Sequence, residues 1–269
     1  MIAAKEIVLD LGLGNRTALV LGAGGGLGSA IAATLAGEGA KVAVADLDRG
    51  AAGRTVDTIS QGGGRAIALE WDLANLDLID RNVSTIETEL GGVDILVSIT
   101  GGPPPGGVLG QSPDLWRKHF EAMVLSVFAI TDRVVPGMRE RGWGRIITST
   151  SSGVVAPIPN LGLSNALRST LLGWSKTLAG EVGRDGVTAN IVLPGRIATE
   201  RITYLDRNKA EREGRAIEDV VAQSTGSIAL GRYGDPQEYA DVVAFLASER
   251  AAYVTGSVVR IDGGYIPSI

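Results

Sequence analysis

The sequence contains no cysteine and only one histidine, His119. The absence of cysteine excludes a disulfide framework, a thiol nucleophile and a cysteine-ligated metal site. A single histidine also excludes a histidine-rich metal centre, so we expect no bound metal. His119 falls in the middle of a helical pattern, and we interpret it as a surface or packed residue rather than a catalyst.

Long apolar segments and strongly basic segments are also absent. No apolar run approaches the roughly 20 residues that span a bilayer, and the N-terminus lacks the residue order of a signal peptide. The formal net charge of −5 argues against a nucleic-acid partner. These absences predict a soluble, cytoplasmic protein whose partner is a small-molecule substrate, with no role for membrane or nucleic acid.

Short apolar runs alternate with helical patterns along the whole chain. Seven runs look like strands buried on both faces: 17–21, 41–46, 66–70, 93–99, 144–149, 187–192 and 257–261. Helical patterns lie between them, for example at 76–90 and 167–182. This alternation predicts a doubly wound α/β fold with a parallel sheet in three layers. No linker divides the sequence, so we expect residues 1–269 to form a single domain.

Two stretches interrupt the alternation. The first is a run of glycine and proline from Gly101 to Gly107. The second is a charged segment at about 196–226, which we expect to be irregular and to form a lid over the site.

A glycine-rich loop follows the first predicted strand and opens a helix. It contains Gly22, Gly26, Leu27 and Gly28. Glycine lets the backbone approach a pyrophosphate, and a helix N-terminus offers unpaired N–H groups and partial positive charge. A purely structural tight turn is the alternative, but the strand–loop–helix context favours a dinucleotide-binding site.

An acidic residue, Asp46, ends the second predicted strand roughly 20 residues further on. Its carboxylate can accept hydrogen bonds from the adenosine ribose, whereas the alternative role of helix cap suits Asp48 better. Asp46 would also repel the 2′-phosphate of NADP, so we expect NAD as the cofactor, with NADP less favoured. Asp72 and Leu73 follow the third strand, where Asp72 either reaches the adenine edge or is a plain loop or capping acid.

Taken together, these motifs resemble those of the short-chain dehydrogenase/reductase family over about residues 14–266. The segment 95–101 matches the family's strand that ends in Asn-Asn-Ala-Gly, and 144–151 matches the strand that carries its catalytic serine. The segment 262–264 resembles the C-terminal signature. The resemblance, which is to relatives of the 3-oxoacyl-reductase type, implies a seven-stranded Rossmann sheet and assembly as a homotetramer.

The resemblance also assigns residues to the nicotinamide end of the cofactor. Pro194, Gly195 and Thr199 resemble the segment that holds the nicotinamide amide. Gly25 stands where NADP-using relatives often carry arginine or lysine, which adds to the expectation of NAD.

The family's reactive residues are a serine, a tyrosine, a lysine four residues later and an asparagine on an earlier helix. Ser151 matches the serine, but a gapless match places Ser164 at the tyrosine position and Arg168 at the lysine position. Met123 stands in place of the asparagine. The resemblance therefore implies a degenerate tetrad in which Ser151, Ser164 and Arg168 are the candidate catalytic residues. Arg168 is also a candidate for holding the cofactor.

The altered tetrad changes the acid–base chemistry that can be expected. A serine hydroxyl is a much weaker acid than a tyrosine, and arginine stays protonated and cannot relay a proton. Three tyrosines elsewhere in the chain could fold into the site: Tyr204, Tyr233 and Tyr265. Ser151 could donate to the substrate oxygen, or the segment 148–152 could simply be a polar turn.

Two functions fit the sequence. The first is an NAD-linked oxidoreductase that transfers hydride to or from a small carbonyl, alcohol or conjugated enone. The second is a non-catalytic dinucleotide-binding module, or the silent partner of an active homologue.

Overall fold

The computed structural model describes residues 10–269. Seven parallel strands form one sheet in the order β3-β2-β1-β4-β5-β6-β7. The strands are β1 Thr17–Leu21, β2 Lys41–Asp46, β3 Arg65–Glu70, β4 Ile95–Ile99, β5 Gly144–Ser149, β6 Val187–Pro194 and β7 Val258–Ile261. The predicted doubly wound fold is confirmed, because each of the seven predicted runs overlaps one strand of this sheet.

Helices connect successive strands and cover both faces of the sheet. They are α1 Gly26–Gly37, α2 Arg49–Gln61, α3 Leu78–Glu89, α4 Pro113–Phe120, α5 Ser126–Glu140, α6 Gly162–Val182, α7 Glu200–Glu213, α8 Ile217–Gly226 and α9 Pro236–Ala247. A π-helical turn, Glu121–Leu125, joins α4 to α5. Within residues 10–269, no helix is both long enough and apolar enough to cross a membrane.

The five central strands, β2, β1, β4, β5 and β6, are buried on both faces of the sheet, which explains their nearly continuous apolar runs. Along β1, Ala18 and Val20 belong to the core beneath α1, α2 and α9, while Leu19 and Leu21 belong to the core beneath α3, α5 and α6. Successive side chains of a strand point to opposite faces, so both sets must be apolar. In the first of these cores, Ile31 of α1 lies with the apolar side chains of α9.

The expectation of an irregular segment at 196–226 is wrong, since most of it forms α7 and α8. Helix α7 has almost no apolar periodicity in its sequence, because most of its residues are charged and only Asp206 and Ala210 are buried. Gly214, in the left-handed conformation with φ of +61°, ends α7.

Candidate active site

A cavity of about 710 Å³ opens at the carboxyl ends of β1, β4, β5 and β6. The strand order changes direction between β1 and β4, and crevices at such a point are the usual ligand sites of doubly wound sheets. The loops after these four strands form one wall, and α7 forms the other. Most of the predicted site residues line this cavity: Gly22, Gly26, Leu27, Gly28, Ser151, Ser164, Arg168, Pro194, Gly195 and Thr199.

The glycine loop lies at one end of the cavity. Gly22 and Gly26 adopt left-handed φ angles of +67° and +56°, which favour glycine. A Cβ atom on Gly28 would overlap the carbonyl oxygen of Gly22, so the first turn of α1 packs directly on the loop. Gly25, at the N-cap of α1, provides no side chain to cap the helix, and this end of α1 can therefore accept an anion.

The predicted adenosine contacts lie outside the lining of this cavity. Asp46 accepts hydrogen bonds from the backbone N–H groups of Gly24, at 2.8 Å, and Asp48, at 3.0 Å. Asp48 caps α2, as expected, by accepting from two backbone N–H groups. Asp72 accepts from the backbone of a neighbouring loop residue at 2.9 Å, and Leu73 packs against the core.

Two buried hydroxyl groups on the cavity wall have no hydrogen-bond partner among the described residues, 10–269. These are the Oγ1 atoms of Thr100, after β4, and Thr150, after β5. Buried polar groups are nearly always paired in folded proteins, and an unpaired one costs about 1–3 kcal/mol. The unpaired hydroxyls and the glycine loop, the glycine cradle of this site, both fit a polar ligand such as a dinucleotide.

Arg168 lies beside these hydroxyls, with 8% of its surface exposed. Its Nη2 donates to the carbonyl oxygens of Thr100, at 3.0 Å, and Gly101, at 3.1 Å, and its Nη1 donates to that of Ser149, at 3.4 Å. Burial, followed by the charge of Arg201, lowers the pKa of Arg168 to about 10. The side chain is therefore still a cation at neutral pH, and it holds the ends of β4 and β5 together.

The other three tetrad positions differ in what they offer the cavity. The Oγ of Ser151 accepts from the N–H of Gly153 at 3.1 Å, which leaves its own proton free to donate. Ser164, in the first turn of α6, lines the cavity and makes no side-chain hydrogen bond within residues 10–269. Met123 is buried in the π-helical turn, outside the cavity lining, and offers no polar link to solvent.

Of the tyrosines in the described part of the chain, only Tyr265 lines the cavity. The hydroxyl of Tyr233 donates to Asp206 at 2.6 Å, and Tyr204 is exposed. Tyr239, which the sequence reasoning did not consider, is fully buried, with its Oη 2.8 Å from the Oγ of Ser149. Burial raises the pKa of Tyr239, and it lies outside the cavity lining.

The α7 wall brings in a residue that the sequence reasoning missed. Arg201 lines the cavity and donates from Nη2 to the carbonyl oxygen of Pro103 at 3.0 Å. Only the charge of the segment 196–226 could have drawn attention to it. Arg196 and Asp206 form an ion pair of 2.8 Å that fixes α7 to the loop after β6.

His119 lies in α4, away from the cavity lining. Nowhere in residues 10–269 do three or more metal-ligating side chains come together in a group that could hold a metal ion.

The chain is similar in sequence to known proteins over nearly its whole length. A family model described as enoyl-(acyl carrier protein) reductase matches residues 22–266. The chain is 35% identical to the short-chain reductase protein NovJ of Streptomyces niveus, over 92% of both chains. It is also 35% identical to the 3-oxoacyl-[acyl-carrier-protein] reductase FabG of Vibrio cholerae, over 94% of this chain and 98% of the relative.

Solved structures of reductases and dehydrogenases have the same fold as this chain. L-sorbose reductase from Gluconobacter frateurii, complexed with NADPH and L-sorbose, is 28% identical with a TM-score of 0.91, over 97% of this chain and 100% of that one. A 7α-hydroxysteroid dehydrogenase complexed with NADH is 29% identical with a TM-score of 0.86, over 96% and 97%. From its sequence, sheet topology and relatives, the chain belongs to the short-chain dehydrogenase/reductase family of oxidoreductases.

Proposed function

We propose that this protein is an NAD-linked oxidoreductase that transfers hydride between the cofactor and a small carbonyl compound, alcohol or conjugated enone. The observation that carries the proposal is the shared cavity, in which the glycine cradle, the orphaned threonine hydroxyls and buried Arg168 all meet. The substrate would enter from the side of Ser151, Ser164 and Tyr265.

The chain offers a group for each part of the dinucleotide. The glycine loop and the start of α1 would hold the pyrophosphate, and Asp46 would hold the adenosine ribose. The adenine would lie near Asp72 and Leu73. At the opposite end, the nicotinamide amide would meet the segment of Pro194, Gly195 and Thr199. When bound, the cofactor supplies or accepts the hydride.

The protein's own residues would stabilise charge on the substrate oxygen. Ser151 retains a free hydroxyl proton to donate, and Arg168 adds a fixed positive charge in a water-poor site. Ser164 cannot act as tyrosine does, because its hydroxyl is a far weaker acid. A conjugated enone suits this site, since its developing enolate needs charge stabilisation first and can take a proton from water later.

We also propose that residues 1–269 act as one dinucleotide-binding domain in which α7 and α8 form a lid. Arg201, Leu205 and Lys209 of α7 line the cavity, so movement of this helix would open or cover the substrate side.

An activated enone should be reduced at least about tenfold faster than a matched saturated ketone. Ketone reduction depends on an acid that protonates the developing alkoxide, whereas the enolate formed from an enone depends less on such an acid. The measurement is NADH oxidation at saturating cofactor with a panel of enones, ketones and alcohols. If NADH binds but none of these compounds is turned over, the result would favour the second candidate function, a non-catalytic module or silent partner. The presence of Ser164 and Met123 at the tyrosine and asparagine positions of the family supports this second candidate.

NADH should bind about tenfold or more tightly than NADPH, because the carboxylate of Asp46 would face the 2′-phosphate. Asp46→Asn, which keeps an acceptor for the Gly24 N–H group, should reduce this ratio. Asp57→Asn, on the exposed side of α2, should leave it unchanged. Titration of bound-cofactor fluorescence gives both affinities, and tighter binding of NADPH by the unmodified protein would refute the proposal.

The protein should form a closed homo-oligomer, most simply a tetramer. Large apolar side chains are exposed on and after the last helix and strand, including Phe245, Tyr253, Val258 and Ile269, and such surface favours association. Light scattering at micromolar concentration should give the mass of a tetramer. A monomer alone would contradict this expectation.

A further inference from the structure

Two arginine side chains from distant parts of the chain meet above Gly102. A Cβ atom built on Gly102 would lie 3.2 Å from Nη2 of Arg201 and 3.8 Å from Nη2 of Arg168. Because glycine has no side chain, this space between the two guanidinium groups stays free. The Nη2 atom of Arg201 is therefore within reach of a small anion at this place, and the positive charge of Arg168 lies close to it.

Neither arginine forms an ion pair with a carboxylate in the part of the chain that the structure describes. Among residues 10–269, no carboxylate lies within 4.0 Å of a guanidinium nitrogen of Arg168 or Arg201. Their hydrogen bonds go to backbone carbonyl oxygens, which satisfy donors without cancelling charge. The other two arginines on the cavity wall differ, since Arg196 pairs with Asp206 and Arg212 with Glu213.

The lack of an acidic partner is unusual for a buried arginine such as Arg168. Arginine remains charged even when buried, and removing an uncompensated charge from water costs free energy. This cost applies to Arg168, which has 8% of its surface exposed and whose pKa is lowered by burial, whereas Arg201 is an exposed residue. A ligand that brings a negative charge would remove this cost.

The geometry favours a singly charged, planar anion. Arg168 directs its terminal nitrogens at three carbonyl oxygens, so Arg201 provides the more available guanidinium edge. The ring of Tyr204, with its centroid 5.5 Å from Cζ of Arg201, supports this side chain from the other side. One available guanidinium matches a carboxylate, which it can bind through two parallel hydrogen bonds.

We propose that the substrate of this enzyme carries a carboxylate, which binds above Gly102 to Arg201 with the charge of Arg168 behind it. This inference rests on the proposed function, because it concerns the substrate side of the same cavity. It assigns a specificity role to Arg201, a residue of the α7 wall.

The test is equilibrium binding to the NADH complex, which needs no turnover. Straight-chain carboxylates of increasing length, the matched primary amides and the matched alkyl phosphates are titrated by calorimetry. The best-binding carboxylate should bind about tenfold or more tightly than its amide, as a charge-assisted bond requires. Arg201→Gln should bring the ratio close to one, and Arg201→Lys should retain part of it.

Arg207→Gln is the matched control, because Arg207 is an exposed cation on the same helix and lies outside the cavity lining. It should leave the carboxylate preference unchanged, and all variants should bind NADH as the unmodified protein does. Equal binding of acids and amides, no binding of either, or a preference for phosphates would overturn the inference. A parallel loss of NADH binding in Arg201→Gln would also overturn it, by making Arg201 a cofactor contact. Failure of the unmodified protein to bind NADH would instead refute the proposed function.

Discussion

Replacing Ser164 with tyrosine and Arg168 with lysine together is expected to raise the reduction of a simple saturated ketone by about 10²- to 10⁴-fold. The two residues are four positions apart on α6, on one face of the helix, and both line the cavity. A tyrosine at position 164 would face the substrate, and a neighbouring lysine would lower its pKa from about 10. The pair would restore a general acid that the unmodified site lacks.

The gain should be specific to ketones. Enone reduction should rise less, because carbon protonation by water does not depend on this acid. Ser169→Tyr, on the exposed side of the same helix, controls for the added ring. Affinity for NADH must be measured in parallel, since lysine cannot reproduce all the bonds of Arg168 to the carbonyl oxygens of Thr100 and Gly101.

Two results would contradict this view of the site. One is a double variant that folds and binds NADH but gains no ketone reduction. The other is an unmodified protein that already reduces simple ketones at typical rates of about 1–10³ per second. In the second case Tyr265, which lines the cavity, would be the first residue to replace, with phenylalanine.

Asp206→Ala should lower the free energy of unfolding by about 3–5 kcal/mol. Asp206 is buried in α7, where one carboxylate oxygen is 2.8 Å from Nη1 of Arg196 and the other accepts from the hydroxyl of Tyr233 at 2.6 Å. Removal of the carboxylate leaves a largely buried guanidinium and a hydroxyl without partners. Denaturant unfolding gives the free energy, and hydrogen exchange of α7 shows whether the loss is local to this helix.

Asp219→Ala is the control, since Asp219 is an exposed acid on α8. It should change the free energy of unfolding by less than about 0.5 kcal/mol. A loss below about 1 kcal/mol for Asp206→Ala, measured globally and in α7, would show that the buried pair does not hold this wall in place.

The sheet could be predicted because each strand carries its own signal. In β1 the four consecutive apolar residues from Ala18 to Leu21 indicate burial on two faces without any knowledge of the neighbours. The glycine loop is equally local, since Gly22 to Gly28 run from the end of one strand into the first turn of the next helix. The position of Asp48 as a helix cap also follows from residues within one turn of it.

The substrate side could not be predicted in this way. Arg201 meets Gly102 only because the loop after β4 and the start of α7 lie at the same edge of the sheet. Tyr265 reaches the cavity because β7 pairs with β6, which places residues after Ile261 beside those after Pro194. In α7, charged residues outnumber apolar ones, so the sequence shows almost no hydrophobic periodicity from which a helix could be predicted.

The packing of α1 against α9 has a consequence for how the protein is made. Among the α-helices of residues 10–269, the one that follows the glycine loop is synthesised first, whereas its partner, Pro236–Ala247, is synthesised last. Until then Ile31 and Leu35 lack the apolar cover that α9 gives them. The nucleotide end of the site is therefore synthesised early, but its packing is completed only when α9 has been made. Nascent chains that stop before α9 expose the apolar face of α1, and chaperones bind exposed apolar surface of this kind.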